Sequence, residues 1–357
     1  METRILTNDA LTRKRWAKDL FAVILPAVEF NDLVGTGSDS IVQIRTELGK
    51  GEGDQITFGI RLPLVGEGTV GSDKVEGNEE ALRLRDFKMT IEELNHAVDT
   101  GGKMEEQRIP YNLMQEGKDG LQEWWADKLS SYIINVLCGN SKFKIAGKDF
   151  GQAITEPDSS HFLTPGSVAE ASLDVTAKMD LDFLDKMKQQ AEIGDIPNGI
   201  FKIRPLVRGG KKYYKVIMHN YVFDQLRKNT NVGQWGDLVR AANKLAEPNV
   251  EIEYNGMLII KSERCPKVID LGYNTGIYRS VLLGCQAACW AWGGAGESKS
   301  SVMSFVPYTR DASRFAMIRG GGIFGCKKVG FANAKNDTTY LDYGVITAST
   351  YGAPISA

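Results

Sequence analysis

LGKGEGDQITFGIRLPLVGEGTVGSDKVEGNEEAL, residues 48–82, is the stretch whose reading decides the fold. A Gly-rich entry leads into a β run from Gln55 to Val65. A second Gly-rich segment and an acidic Gly77-Asn-Glu-Glu80 follow. Gly66, Gly68 and Gly71 match G-x-G-x-x-G after a strand, the pattern of a dinucleotide site. Such a site needs its glycines to open a helix whose N-terminus meets the pyrophosphate. Here Gly71 runs into Ser-Asp-Lys-Val-Glu-Gly, and Gly77 would cost that helix about 1 kcal/mol relative to Ala. Glu67 sits inside the turn, where it repels a phosphate, and no β–α–β pattern follows. The alternative is a long exposed hairpin that grips a neighbouring copy. Glycines permit its turn geometry, and a two-stranded ribbon is marginal until something covers it.

Composition narrows the choice further. The chain has 357 residues, 42% hydrophobic and 25% charged, enough to bury one large or two medium cores. A formal charge of −2 gives no support for a strongly basic nucleic-acid surface. Cys138, Cys265, Cys285, Cys289 and Cys326 are an odd, scattered set. Cys285-x-x-x-Cys289 has no His nearby to complete a four-ligand zinc site, so all five read as small buried thiols in a reducing compartment. No apolar run approaches the ~20 residues of a membrane span. The apolar segment from Phe21 to Val28 follows Arg13-Lys14-Arg15 but is flanked by Asp19 and Glu29 and interrupted by Pro26, so it reads as part of an arm assembled in the cytoplasm rather than a leader.

Along the chain, residues 1–45 form an amphipathic, partly basic arm, with Trp16, Leu20, Phe21 and Ile24 able to share a helical face. Thr90-x-x-Glu93 resembles a capping box and predicts a short helix through Ile91–Leu94. The clearest helix is predicted at about 119–138. Leu121, Trp124, Trp125, Leu129, Ile133 and Leu137 form its core face, and Gly139 stands as its stop. Residues 140–175 read as loop-rich, and Asp180–Ala191 as a helix. Tyr213–Met218 is predicted as a strand and Tyr221–Lys228 as a helix. Val250–Tyr254 and Met257–Ser262 form a hairpin around Asn255-Gly256. Gly284–Trp292 is small and apolar and reads as a buried helix. Strands return from Gly325 through Phe331 to Val345 and Thr347. The whole is α+β.

Chemistry-bearing patterns are sparse. His96, His161 and His219 lack a companion Ser or Cys in any nucleophile motif. Glu79-Glu80 and Glu92-Glu93 read as solvated faces. Lys211-Lys212 and Lys327-Lys328 lack the aromatic interleaving of a single-strand binder. No catalytic, cofactor or metal residues are assigned.

Leu48-Gly-Lys-x-x-Gly-Asp-x-Ile-Thr-Phe58, Leu64-x-Gly-x-Gly-x-x-Gly71 and Gly77-x-Glu-Glu-x-Leu82 together resemble the major capsid proteins of tailed phages, in particular the N-four-like podophage group. Trp124 with Ala126–Gly139, Val216-Ile-Met-His with Leu226, Leu282-Leu-Gly-x-Gln-Ala287, Gly325-x-Lys-Lys-x-x-Phe331 and Asp342-Tyr-Gly-Val-Ile extend the likeness in order. Residues 140–200 carry none of it. The resemblance implies the Hong Kong 97-type capsid fold: an N-terminal arm at 1–45, an extended loop (the E-loop) at 46–90, and a peripheral domain with a spine helix at 91–200. An axial domain at 201–310 and C-terminal strands at 311–357 returning to the peripheral domain complete it. It implies a non-enzymatic shell subunit of the virion, self-assembling as hexamers and pentamers around double-stranded DNA. Scaffolding, portal and decoration proteins are the implied partners. Intersubunit contacts would fall on Arg61, Gly66, Gly68, Gly71, Lys74, Glu79 and Glu80 in the E-loop, and on Arg13, Arg15 and Trp16 in the arm. Two rivals remain open on sequence: an encapsulin-like nanocompartment shell, and a nucleotide-dependent enzyme using Gly66–Gly71.

Overall fold

The computed structural model describes residues 31–45, 53–61, 68–71, 74–80, 84–108, 110, 112–194, 202–208, 210–229, 251–294, 303–311, 314–332 and 340–355. The arm residues Arg13, Arg15 and Trp16, and also Gly66, lie outside them. In chain order the strands are β1 (Val34–Gly35), β2 (Val42–Arg45), β3 (Gln55–Arg61), β4 (Leu84–Thr90), β5 (Glu92–Gly102), β6 (Phe162–Leu163), β7 (Leu206–Arg208), β8 (Lys211–Met218) and β9 (Ile252–Tyr254). They continue as β10 (Met257–Lys261), β11 (Lys267–Gly272), β12 (Thr275–Leu283), β13 (Ala288–Trp292), β14 (Met303–Arg310), β15 (Phe315–Lys328), β16 (Gly330–Ala332), β17 (Tyr340–Asp342) and β18 (Val345–Gly352). The helices are α1 (Lys103–Arg108), α2 (Leu113–Leu137), α3 (Leu181–Ile193) and α4 (Asn220–Arg227).

Two main sheets organise these elements. The first runs β1-β2-β13-β15-β14, with β5 also on β15. The second runs β6-β18-β12-β8-β10-β9, with β11 on β12 and β7 on β8. The pairing does not follow a linear division at residue 310. β13 and β14 lie beside β15 and β5, while β18 sits between β6 and β12 of the second sheet. One core forms where α2 covers the first sheet through Leu121, Trp125, Leu129 and Ile133 against Trp290, Trp292, Phe305 and Phe324. Another lies under α3 and α4, where Leu184, Met187, Val222 and Leu226 meet Val216, Met218, Ile259 and Leu282.

Local sequence explains most of these elements. Asp180 caps α3 by accepting from the Phe183 amide at 2.8 Å. Asn255 and Gly256, with φ of 45° and 69°, make the tight turn between β9 and β10. Two expectations fail. The helix expected after Thr90 is instead β5. Beyond Glu93, Leu94, His96, Val98 and Thr100 are half-buried while Asn95, Ala97 and Asp99 are exposed. That period of two, paired to β15, overrides a local capping pattern. The helix expected at Gly284–Trp292 is β13. All five of its residues are buried. Trp290 and Trp292 face the α2 core while Cys289 and Ala291 face a separate cluster on the other side. A strand covered on both faces loses the alternation that would reveal it.

Candidate functional site

β3 and β4 pair antiparallel from Gln55↔Thr90 to Arg61↔Leu84, a ribbon of about 23 Å at strand rise. That is a hairpin and not the strand–helix unit of a nucleotide site. Its root is buried. Ile56, Phe87 and Met89 are 6%, 3% and 0% exposed and pack on Cys289 and Ala291 of the first sheet's outer side and on Val329 and Phe331 at the start of the β16–β17 ladder. Phe87 meets Phe331 edge-on at 6.1 Å. Lys327 reaches back to the ribbon, donating to the Lys88 carbonyl at 2.8 Å with its ammonium 5.0 Å from the Phe87 ring. Burial pulls the Lys327 pKa down. The Ile91 amide closes the base by donating to the Asp54 carbonyl at 3.0 Å.

The distal residues are presented to solvent. Gly68, Gly71 and Gly77 have φ of 75°, 70° and 94°, a region that L side chains avoid. Val70 is 81% exposed and Val75 63%. Lys74 and Glu79 are exposed and Glu80 half-buried. A turn is stitched by Asn78: its amide donates to the Val75 carbonyl and its side chain to the Lys74 carbonyl, both at 3.0 Å. Glu79 accepts from the Gly77 amide at 2.8 Å. Arg61 ends β3.

On the opposite face of the first sheet lies α2, about 37 Å long, which begins six residues earlier than its apolar periodicity predicts. Asn112 sets that start, accepting from the Met114 and Gln115 amides at 3.0 and 3.3 Å. After Leu113 and Met114 the run to Gly120 is polar, with Gly117 and Gly120, so the first turns carry little apolar signal. Gly117 is instead what lets the helix approach β5, because a Cβ there would lie 2.9 Å from Thr100 Cγ2. Leu121, Trp125, Leu129, Ile133 and Leu137 are all 0% exposed. Trp124 differs: it is half-buried and stacks on His96 at 4.2 Å. The floor beneath Trp125 is Gly320–Gly322 of β15, where a Cβ on Gly320 would come within 2.9 Å of Leu121 and Trp125. Gly320-Gly-Gly in an otherwise apolar strand run was the available signal for that close approach.

The helix ends as Gly139 allows. The Gly139 amide returns to Val136 and that of Asn140 to Asn135, with Gly139 at φ 62°. Arg279 of β12 then fastens this end to the second sheet. Its Nη1 donates to the carbonyls of Gly139 and Cys138 at 2.6 and 3.3 Å, and Nε and Nη2 grip Glu170 at 2.9 and 2.7 Å. Ser349 of β18 donates to the same carboxylate. Burial opposes ionisation of Glu170, but the bonds from Arg279 and Ser349 outweigh it and hold the pKa below its ordinary value. Sequence analysis missed this clamp because its members lie far apart in the chain. It also missed the Asp158–His161 pair, 2.8 Å apart. The segment before β2 straps across both sheets: Asp32 pairs with buried Lys215 at 2.8 Å, and β2 adds to β13.

All five cysteines are buried and none is in a disulfide. No group of metal-ligating side chains occurs among the described residues, and no described helix is long and apolar enough to cross a membrane.

The phage capsid protein family matches residues 4–354. The chain belongs to that family. This capsid protein, a structural component of the virion, is 31% identical over 137 residues to the major capsid protein of Pseudomonas phage KPP25. That match covers 38% of the chain and spans about a third, 36%, of the relative's length. The capsid of Ralstonia phage GP4 superposes over 100% of both chains with a TM-score of 0.79 at 23% identity. The cyanophage Pam1 capsid covers 91% of the capsid protein and 92% of its own chain, with a TM-score of 0.68 at 17% identity. The head of Helicobacter pylori bacteriophage KHP40 covers 90% of each, with a TM-score of 0.65 at 16% identity. The shared architecture is the Hong Kong 97-type capsid fold.

Proposed function

We propose that this chain is the major subunit of a tailed-phage head, that it has no catalytic activity, and that many copies self-assemble into an icosahedral or related shell around packaged double-stranded DNA. The observation that carries the proposal is the hairpin: locked at its root by Phe87 and Met89, it displays Val70, Val75, Lys74 and Glu79 to solvent. A single subunit has no use for such a projection, and a neighbouring copy completes it. The ribbon and its distal turn form the E-loop at 46–90, with Arg61, Gly66, Gly68, Gly71, Lys74, Glu79 and Glu80 as its intersubunit residues. Arg13, Arg15 and Trp16 serve the arm. α2 is the spine of a peripheral unit built on the first sheet, and the second sheet with α3 and α4 is the axial unit. Scaffolding and portal proteins direct assembly, a decoration protein fits the exterior, and DNA is held by weak non-specific contacts.

Light scattering and negative-stain microscopy test the proposal. Closed shells, or hexameric and pentameric capsomers, are the expected product, alone or with a scaffolding protein from the same phage. A stable monomer under every condition, co-expression included, overturns it.

A further inference from the structure

Lys328 ends β15 and Asp342 ends β17, and the short β16–β17 ladder, with Gly330 opposite Asp342, brings the two together. Lys328 Nζ lies 2.6 Å from Asp342 Oδ2, and each side chain is only 1% exposed. Taking an ammonium and a carboxylate so far from water carries a desolvation cost of several kcal/mol per ion. The pair is incompletely compensated. Asp342 Oδ1 is buried with no hydrogen-bond partner among the described residues. Burial raises the Asp342 pKa toward the neutral acid, with Lys328 the main opposing influence and the Asp158 charge adding to the rise. The backbone around the pair is held still. The Asp342 amide donates to Asp158 Oδ2 at 2.7 Å, and the Asp158 amide to Asp342 Oδ2 at 3.4 Å. Asp158 is in turn fixed by the His161 ring at 2.8 Å.

We propose that Lys328 and Asp342 are the two halves of an intrachain isopeptide bond, formed by the folded chain itself. The balance is that of a condensation. A proton passes from the ammonium to the carboxylate within the pair, leaving an amine and a carboxylic acid. The Nζ lone pair attacks Asp342 Cγ. Nitrogen gives up a second proton, Oδ2 leaves as water carrying both protons, and one N–H remains on the amide. No electrons are transferred and no co-reactant is required. The folded chain supplies proximity, since two strands hold amine and carboxyl in contact, the condition under which intramolecular steps gain most. It also supplies a driving force. The amide carries no charge and leaves Oδ1 as an amide oxygen, which costs less to bury unpaired than a carboxylate oxygen. Exclusion of water disfavours the reverse reaction.

Mass spectrometry of the full-length, denatured protein tests the proposal directly. The expected mass is one water below that of the sequence. A tryptic digest locates the loss independently of processing at the termini. Trypsin should not cut after Lys328, and residues 328–335 and 336–357 should stay joined as one branched species despite cleavage after Lys335. Lys328→Arg and Asp342→Ala should each restore the full mass. Full mass and ordinary cleavage after Lys328, in wild-type protein held folded for days, overturn the proposal and leave an ion pair only. The wild-type measurement decides alone, so a variant that fails to fold does not blunt the test.

Discussion

Two neighbouring tryptophans on α2 should differ sharply when truncated. Trp125 is 0% exposed and meets Phe324 edge-on at 6.1 Å. Below it lie Gly320 and Gly322, which have no side chains to relax into a void. Trp125→Ala should therefore cost about 3–5 kcal/mol. Trp124, one residue away, is half-buried against His96, with the Lys128 ammonium 5.9 Å from its ring. Half-burial is worth about 1 kcal/mol, and the cation contact adds ~0.5–1 kcal/mol. At roughly 2–4 °C per kcal/mol for a domain of 150–250 residues, Trp125→Ala should lower Tm by about 6–20 °C and Trp124→Ala by about 3–8 °C. Trp125→Phe separates volume from polarity. The Trp125 Nε1 group is buried without a hydrogen-bond partner among the described residues, so Phe removes an unsatisfied donor worth ~1–3 kcal/mol while losing part of the ring. Its cost should fall well below that of Ala. Circular dichroism melts and urea titrations of the unassembled subunit give these values. Equal losses for the two Ala variants, or a loss under about 1 kcal/mol for Trp125→Ala, would refute the reasoning.

Replacing residues 66–76 with an Asn-Gly turn should leave the subunit's circular dichroism and thermal melt unchanged and derange shell formation by sedimentation; normal shells from that variant would sink the E-loop assignment. Arg279→Ala should cost about 3 kcal/mol in urea unfolding, the low end for breaking a buried pair, because it leaves half-buried Glu170 with only the Ser349 hydroxyl and frees two carbonyls at the end of α2. Arg279→Lys should rescue little, since one ammonium cannot reproduce the fork. His219 caps α4, accepting from the Tyr221 amide at 3.1 Å, and burial pulls its pKa down from 6.5 to about 4. The unfolded chain therefore takes up a proton that the folded one refuses, and stability should fall as pH drops from 6.5 toward 4. His219→Asn keeps a capping acceptor and should flatten that slope in pH-dependent denaturation.

Local signals sufficed where no distant strand overrode them, as β15 overrode the capping pattern after Thr90. The Asn255-Gly256 turn, the helix from Asp180 to Ala191, the Gly139 stop and the apolar stripe of α2 each rest on signals within a few residues. A hairpin within 46–90, with its first strand from Gln55, was legible because glycine placement argued against a helix at 71–77; its return strand at 84–90 came only with the structure. β13 was not, because its two covers, α2 and the hairpin root, come from distant segments and erase its periodicity. The same is true of the Arg279 clamp, whose partners at 138–139, 170 and 349 no window contains. The first turns of α2 were hidden because Gly117 and Gly120 make a poor helix on propensity, and close packing on β5 overrides that weakness.

The interleaved order of the second sheet has a consequence for synthesis. β18 is an interior strand, hydrogen-bonded to β12 along its length and to β6 at its other edge. A ribosome releases the chain N-terminus first, so β6 and β12 emerge long before the strand that joins them. Neither can settle into its final place until residue 352 has cleared the exit tunnel. Pairings this distant in sequence also close slowly. A nascent chain is thus kept from a finished surface throughout translation, and an abortive product lacking the last strand is left with an open sheet that proteases can reach.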